Sequence, residues 1–352
     1  MVLDRDREDA MSVSFITEQG FKGFVSALIQ ARPVYGPTAK RSKFVFARLQ
    51  APEQLRLDYD VTILPPKKLF FPTSQDIVRF DGGKFDGCIQ PEEMILLGVH
   101  FYDVKAIDMT DLLFRDRNPD WNYLANRERT TIVASNIQTV APRAFWASAA
   151  REVEPKGHDA FLTKIAGGYV FEARTPKGKA LLKHGSFQKA SETQTQEARK
   201  ANQDVLGKCP EAHRADAAVI AAKVRAAFKN EELWAKFAED CFSCGSCNTV
   251  CPTCYCFDVQ DAWNVDQKSG ARTRYWDACL SEDFAKVSLG AGASENFRET
   301  RGERFRHRFM RKAAYLNEKL GAPACVGCGR CSAACTADIA DPVRVIEQIL
   351  KA

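Results

Sequence analysis

Apolar positions in the first half of the chain come in short runs separated by turn residues. Ser42-Lys-Phe-Val-Phe-Ala-Arg-Leu49 is rich in Phe and Val and partly alternates, as a strand does. Met94–His100 has the continuous apolar character of a buried strand, and Thr130–Ala134 forms another. Gly167–Leu181 suggests a hairpin turning at Pro176-Lys-Gly178. Residues 1–190 are therefore expected to form an α/β domain with a mixed sheet. The polar stretch Lys189–Asn202 suits a linker or an exposed helix. Helix formers then dominate from Pro210 to Asp240, over Ala217–Phe228 and Glu231–Phe237, with Asn230 placed to cap the second segment. Residues 191–240 thus form a linker with helices that lead into the C-terminal part, 241–352.

Composition narrows the class. With 45% hydrophobic and 27% charged residues over 352 positions, wholesale disorder is excluded. The formal charge of +5 is too mild to mark a nucleic-acid or membrane-surface binder globally. The longest apolar run, Met94–Val99, falls far short of the ~18–20 residues that span a bilayer. The charged start Met1-Val-Leu-Asp-Arg-Asp shows no export signal, so a soluble cytoplasmic protein is expected. In that reducing compartment, 13 cysteines read as metal ligands or redox groups instead of disulfides.

Their placement sharpens this reading. Only Cys88 and Cys209 precede residue 240, and both read as structural thiols. The remainder lie between Cys241 and Cys335 and include one pattern, C-x2-C-x2-C-x3-C, used twice: Cys241, Cys244, Cys247, Cys251 and Cys325, Cys328, Cys331, Cys335. Two intervening residues let a short loop wrap a [4Fe–4S] cube with three thiolates, and in two-cluster ferredoxins the fourth Cys of each run serves the other cluster. This predicts one cluster on Cys241, Cys244, Cys247 and Cys335, and a second on Cys325, Cys328, Cys331 and Cys251. Gly245, Gly327 and Gly329 suit the close backbone approach. Zinc is the rival, but it normally uses two separated pairs, which leaves a third Cys surplus. Cys335 is followed by Thr336 where the ferredoxin run has Pro, a turn residue and not a ligand. Cys254, Cys256 and Cys279 lie just beyond the first run; they can support an extra cluster or replace a ligand, and roles in packing or in supporting the ligand loops are favoured.

The long spacer between Cys251 and Cys325 points to an enlarged, mostly helical two-cluster ferredoxin domain, giving an α+β chain overall. Within the spacer, Phe297–Lys312 is strongly basic and interleaved with aromatics. It is either a solvated helix face or a set of arginines that raises a cluster's potential or holds a partner's acidic surface. Histidines 100, 158, 184, 213 and 307 show no metal-pair spacing. No phosphate-cradling glycine loop and no nucleophile–base pattern is present, so no catalytic site of its own is expected.

The blocks Cys241–Asp261, Arg274-Tyr-Trp-Asp-Ala-Cys279, Asn296-Phe-Arg298, Arg304-Phe-Arg-His-Arg308 and Cys325–Cys331 closely resemble the iron–sulfur beta subunit of soluble NAD(P)-linked [NiFe] hydrogenases, the sulfhydrogenases. The A subunit of anaerobic sulfite reductase shares much of this. Leu64-Pro-Pro-Lys-Lys-Leu-Phe-Phe71, Gly98-Val-His100 with Asp103, and Arg127-Glu-Arg129 extend the resemblance through the first half. It implies an electron-transfer subunit with two [4Fe–4S] clusters, placed between a flavin-bearing NAD(P)H diaphorase subunit and a catalytic partner, hydrogenase-like or of the sulfite reductase kind. The family often has further N-terminal cysteines. Here those stretches read His100-Phe-Tyr-Asp103, Ser135-Asn136 and Phe145-Trp-Ala147, so any cluster held there is expected to be lost. The alternative is an N-terminal domain that itself binds flavin or substrate.

Overall fold

The computed structural model describes residues 12–149, 156–209 and 215–352. The charged start at Met1 and His213 lie outside the described residues. The first half is built on β1 (Ser12–Thr17), α1 (Glu18–Ala31), β2 (Val34–Lys40), β3 (Lys43–Arg48), β4 (Ser74–Asp81), β5 (Lys84–Gly87), β6 (Met94–His100), α2 (Phe101–Arg115), α3 (Trp121–Arg129) and β7 (Thr130–Ser135). The short α4 (Trp146–Ala149), β8 (Ala160–Ile165), β9 (Gly168–Ala173), α5 (Pro176–Leu181), β10 (Gln188–Lys189) and α6 (Glu192–Leu206) complete it.

Eight strands form one sheet in the order β10-β1-β9-β8-β7-β6-β2-β3. The central pairs β2/β6, β6/β7 and β7/β8 are parallel and the flanking pairs antiparallel, so the sheet is mixed. Both faces of β6 and β7 are buried, as their uninterrupted apolar runs require. Phe24 and Leu28 of α1 pack on one face with Leu97 and Val133, while Val104 and Ile107 of α2 pack on the other with Leu96 and Ile132.

The hairpin falls elsewhere than expected. It joins β8 to β9 and turns at Ala166-Gly167, where Gly167 has φ +74°. Pro176 instead occupies the start of α5, a position where its missing N–H costs nothing, and Thr175 caps that helix by accepting from the Gly178 N–H at 3.3 Å. The polar stretch after Lys189 resolves into helix α6, opened by a capping box between Ser191 and Gln194 and buried along Ala198 and Val205.

The second half begins with α7 (Ala217–Ala226) and α8 (Glu231–Phe237), the latter capped by Asn230 as its sequence suggests. There follow α9 (Ser246–Thr249), β11 (Phe257–Trp263), β12 (Ser269–Trp276), β13 (Lys286–Gly290), β14 (Ala293–Asn296) and α10 (Arg301–Met310). The chain ends through α11 (Asn317–Leu320), α12 (Arg330–Ala334) and α13 (Pro342–Lys351). The helical reading of the spacer holds from Thr300 onward; before it stand two hairpins. Phe257 and Val259 alternate with Asp258 and Gln260, a period-two signal outweighed by the helical content around it. β12 also pairs with β4, from Tyr275 opposite Ser74 to Ser269 opposite Asp81, so a four-stranded sheet β11-β12-β4-β5 draws on both halves of the chain. Helices α7, α8, α10 and α13 enclose a core of Val224, Trp234, Phe305, Phe309 and Ile349 that also contains Cys241, Cys247 and Cys331. Among the described residues, no helix is long and apolar enough to cross a membrane.

Candidate metal centres

The sequence repeat is also a repeat of backbone shape. In the first run Ser243 and Gly245 adopt left-handed φ values of +53° and +68°, and the equivalent Gly327 and Gly329 of the second run adopt +65° and +77°. Each loop therefore turns twice in the same sense and runs into a short helix, α9 or α12. In the second loop the glycines are also needed for space: a Cβ on Gly327 would lie 2.6 Å from the Trp146 backbone, and one on Gly329 would lie 2.5 Å from that of Arg143. Phe145 secures the contact by donating its N–H to the Gly327 carbonyl at 2.8 Å.

Each short helix carries the third cysteine of its run near its start and the fourth just past its end. Four residues of helix advance about 6 Å, enough to deliver those two thiols to different places. Cys241, Cys244, Cys247 and Cys335 line one recess, closed by Leu280, Phe305 and Ile339. Cys251, Cys325, Cys328 and Cys331 line a second cavity of about 410 Å³. Cys254, Cys256 and Cys279 lie together in a third cleft; Cys279 is buried and the other two are half-buried. Cys88 and Cys209 line none of the three: Cys88 is half-buried after β5, and Cys209 is packed in the hydrophobic cluster that also holds Val326 and Cys328 of the second loop.

The surroundings of the second cavity are cationic. Arg308 and Lys312 line it, and Lys67 lies against its rim, donating to the carbonyls of Cys251, at 2.9 Å, and of Cys254. Lys67 and Arg308 are buried and Lys312 is half-buried, yet none of the three forms an ion pair among the described residues. Arg308 reaches the Cys247 carbonyl at 3.4 Å, and Lys312 reaches the Thr253 hydroxyl at 2.6 Å. Burying unpaired charge costs several kcal/mol, so these cations call for an anionic neighbour. Burial draws the Lys67 ammonium down to about 8, partly offset by Cys254. The same burial would lower Lys312, but Cys251 and Cys254 more than compensate and hold it above its ordinary value.

The opposite need is felt by the thiols. Burial pushes Cys247 and Cys325 up to about 11 and Cys328 up to about 12, so loss of their protons requires a bound cation. Four thiols walling each of two spaces, with unpaired cations behind them, fit an anionic iron–sulfur cluster whose irons displace the thiol protons. Among the described residues, no three His, Cys, Asp or Glu side chains converge on a point as one metal ion requires.

Arg330, on α12 between Cys328 and Cys331, is buried with Asp103 of α2. It makes a two-pronged ion pair at 2.6 and 2.7 Å, and its Nε–H donates to the Thr62 carbonyl at 2.8 Å. The second loop is thereby tied to the N-terminal sheet. Two of the three stretches where relatives were expected to have further cysteines, residues 100–103 and 145–147, meet beside the same loop. Phe101 and Trp146 stack edge-on at 5.1 Å, Tyr102 packs in the same cluster, and its hydroxyl lies 2.9 Å from His100 Nδ1. Aromatic rings occupy this space. Burial, followed by the charge of Arg330, holds the His100 imidazole well below its usual range.

The basic segment divides by face. Arg304 and Arg308 are buried, Arg304 donating to the Ser243 hydroxyl at 3.2 Å, while Arg301 is exposed and Arg306 stacks 4.2 Å from the Phe228 ring. The solvated-face reading therefore fails for the residues that adjoin the ligand loops. Lys67 and Asp103 contribute to the site without any spacing signal of their own; their blocks stood out only through the family resemblance.

Residues 240–339 match the family model of the 4Fe-4S dicluster domain. Over 345 residues the chain is 30% identical to the beta subunit of sulfhydrogenase 2 from Pyrococcus furiosus, covering 94% of this chain and 96% of that one. No solved structure matches it.

Proposed function

The chain belongs to the family of sulfhydrogenase beta subunits, and on that premise we propose that it relays electrons through two [4Fe–4S] clusters inside a multi-subunit redox complex. One cluster is assigned to Cys241, Cys244, Cys247 and Cys335, the other to Cys325, Cys328, Cys331 and Cys251. The observation that carries this reading is the exchange of fourth cysteines: each of the two cavities is walled by three thiols of one run and the last thiol of the other.

When bound, each cluster supplies a one-electron carrier whose potential depends on net charge, hydrogen bonding and solvent exposure. The chain's own residues supply the setting. The α9 and α12 helices hold the two spaces one short helix apart. Arg308 and Lys312 place positive charge beside the thiolates, and Phe305, Leu280, Phe309 and Ile346 keep water from the walls. No catalytic chemistry is assigned to these residues. We read the electron donor or acceptor on one side as a flavin-bearing NAD(P)H diaphorase subunit, and on the other as a catalytic subunit of the hydrogenase kind. The reducing cytoplasm suits a chain whose cysteines form no disulfide among the described residues.

Paired substitutions test the assignment. After anaerobic reconstitution, Cys241→Ala with Cys335→Ala should cost one cluster, about four iron atoms, because both changes strike the same site. Cys241→Ala with Cys251→Ala should cost both, about eight. The reverse ranking would show that each run serves its own cluster. Isolating the native complex and identifying the subunits that copurify tests the partners.

A further inference from the structure

Three thiols remain outside the two assigned sets, and the fold gathers them. Cys254 and Cys256 follow the first run, Cys279 arrives from the far end of β12, and the three line one cleft with Asn248, His307, Arg308, Arg311 and Lys312. The Asp277 N–H donates to the Cys256 carbonyl at 3.0 Å, fixing the two segments side by side. Buried Asn248, on α9, aims its amide nitrogen at the sulfur of Cys279, at 3.0 Å, and towards that of Cys254, at 3.8 Å.

Packing does not account for this arrangement. A cysteine that serves as a small apolar filler sits among apolar atoms, whereas Cys254 and Cys256 are half-buried in a cleft walled by cations. Arg308, Arg311 and Lys312 form no ion pair among the described residues; Arg311 donates to the Tyr255 hydroxyl and Lys312 to that of Thr253. The Arg308 Nε–H is buried without any partner. Thiolate sulfurs facing amide and guanidinium donors, with no carboxylate to balance the cations, are what an anionic thiolate-bound group requires.

We propose that Cys254, Cys256 and Cys279 hold a third iron–sulfur cluster, with the His307 imidazole as its fourth ligand. The inference rests on the two-cluster reading above and extends it. Arg308 and Lys312 line both this cleft and the second cavity, so the third cluster sits one side-chain layer from the second and lengthens the electron path. His307 projects from α10 into the same cleft and makes no hydrogen bond among the described residues, which leaves a ring nitrogen to donate. A single zinc ion on the same three thiols is the competing occupant, and it would draw the sulfurs to one point.

Iron and zinc counting on the full chain after anaerobic reconstitution decides the matter without any variant. Three clusters require about twelve iron atoms per chain and two require about eight. Cys256→Ser with Cys279→Ser should lower the count from about twelve to about eight while the EPR signals of the first two clusters persist. His307→Ala should lower it by about one and produce a three-iron signal in the oxidised protein. A wild-type count of about eight that the Cys256/Cys279 pair does not change overturns the third site and leaves the first two standing. So does one zinc atom beside eight irons. A count clearly below eight overturns the underlying reading as well, and an unchanged spectrum in His307→Ala removes that residue as ligand.

Discussion

Arg308 offers a quantitative test of how the protein sets the electron energy. Its side chain is 2% exposed, lines the second cavity, and reaches the carbonyl of Cys247, which lines the first. Arg308→Met keeps much of the volume and removes the charge. A unit charge about 8 Å from the added electron, at an effective dielectric near 20, is worth about 2 kcal/mol. At about 2.3 kcal/mol per 100 mV for one electron, this corresponds to about 90 mV. Reduction adds negative charge beside the guanidinium, so removing the cation disfavours the reduced state and lowers the potential. Arg308→Lys keeps the charge and should lie within about a third of that shift of the wild type. Arg301→Met, at the exposed N-terminal end of the same helix, should change nothing measurable because water and salt screen it. The assay is an EPR-monitored redox titration of reconstituted protein at matched iron content. Unchanged potentials in Arg308→Met, or a rise, would refute the claim that buried cations tune the clusters.

The tie between the second loop and the N-terminal sheet should be costly to break. Asp103→Asn leaves the Arg330 guanidinium buried without its counter-charge and is expected to destabilise the protein by about 3–5 kcal/mol, read as a lower denaturant midpoint; a loss under about 1 kcal/mol would show that the ion pair is dispensable. Gly327→Ala forces a Cβ into the Trp146 backbone at a left-handed φ, so it should lose soluble, iron-loaded protein, whereas Gly83→Ala, with nothing within 4 Å of its Cβ, bears only the conformational cost of about 1–2 kcal/mol. Equal effects of the two would mean that loop docking does not matter. Stripping iron with a chelator should leave buried Arg308 and half-buried Lys312 without an anion and make the 241–352 region more sensitive to protease than the N-terminal sheet; equal resistance before and after removal would contradict the counter-charge argument.

What the sequence made legible follows the range over which each signal acts. The paired ligand runs could be read because the chemistry demands a fixed local spacing, and both loops realise it with left-handed turns at equivalent positions. The buried strands β6 and β7 were visible for a similar reason, since their apolar runs are continuous and short. Where a local signal competed with another, the outcome turned on the stronger one. Pro176 reads equally as a turn residue and as a helix start, and Thr175 decides for the helix by capping it. The alternation in Phe257–Trp263 became informative only with a partner, and that partner, reached through β12, is β4, far away in sequence.

Lys67 and Asp103 mark the limit of local reading. Each is an ordinary charged residue in its own segment, and each acquires a role only when folding sets it against Cys251 or Arg330 across roughly two hundred positions. The basic run after Phe297 shows the same limit from the other direction, because its composition is equally consistent with a solvated face. Helical geometry separates the two uses only in part: Arg304, Arg308 and Lys312, spaced four apart, share the face that meets the thiols and Arg306 falls outside it, while Arg301 is in line with them and is exposed because it opens the helix. That spacing was present in the sequence, but choosing its inward face required knowing what lay opposite. Buried cations without carboxylate partners then carry information that their sequence does not, since a fold that encloses such charges must also enclose the anions that balance them.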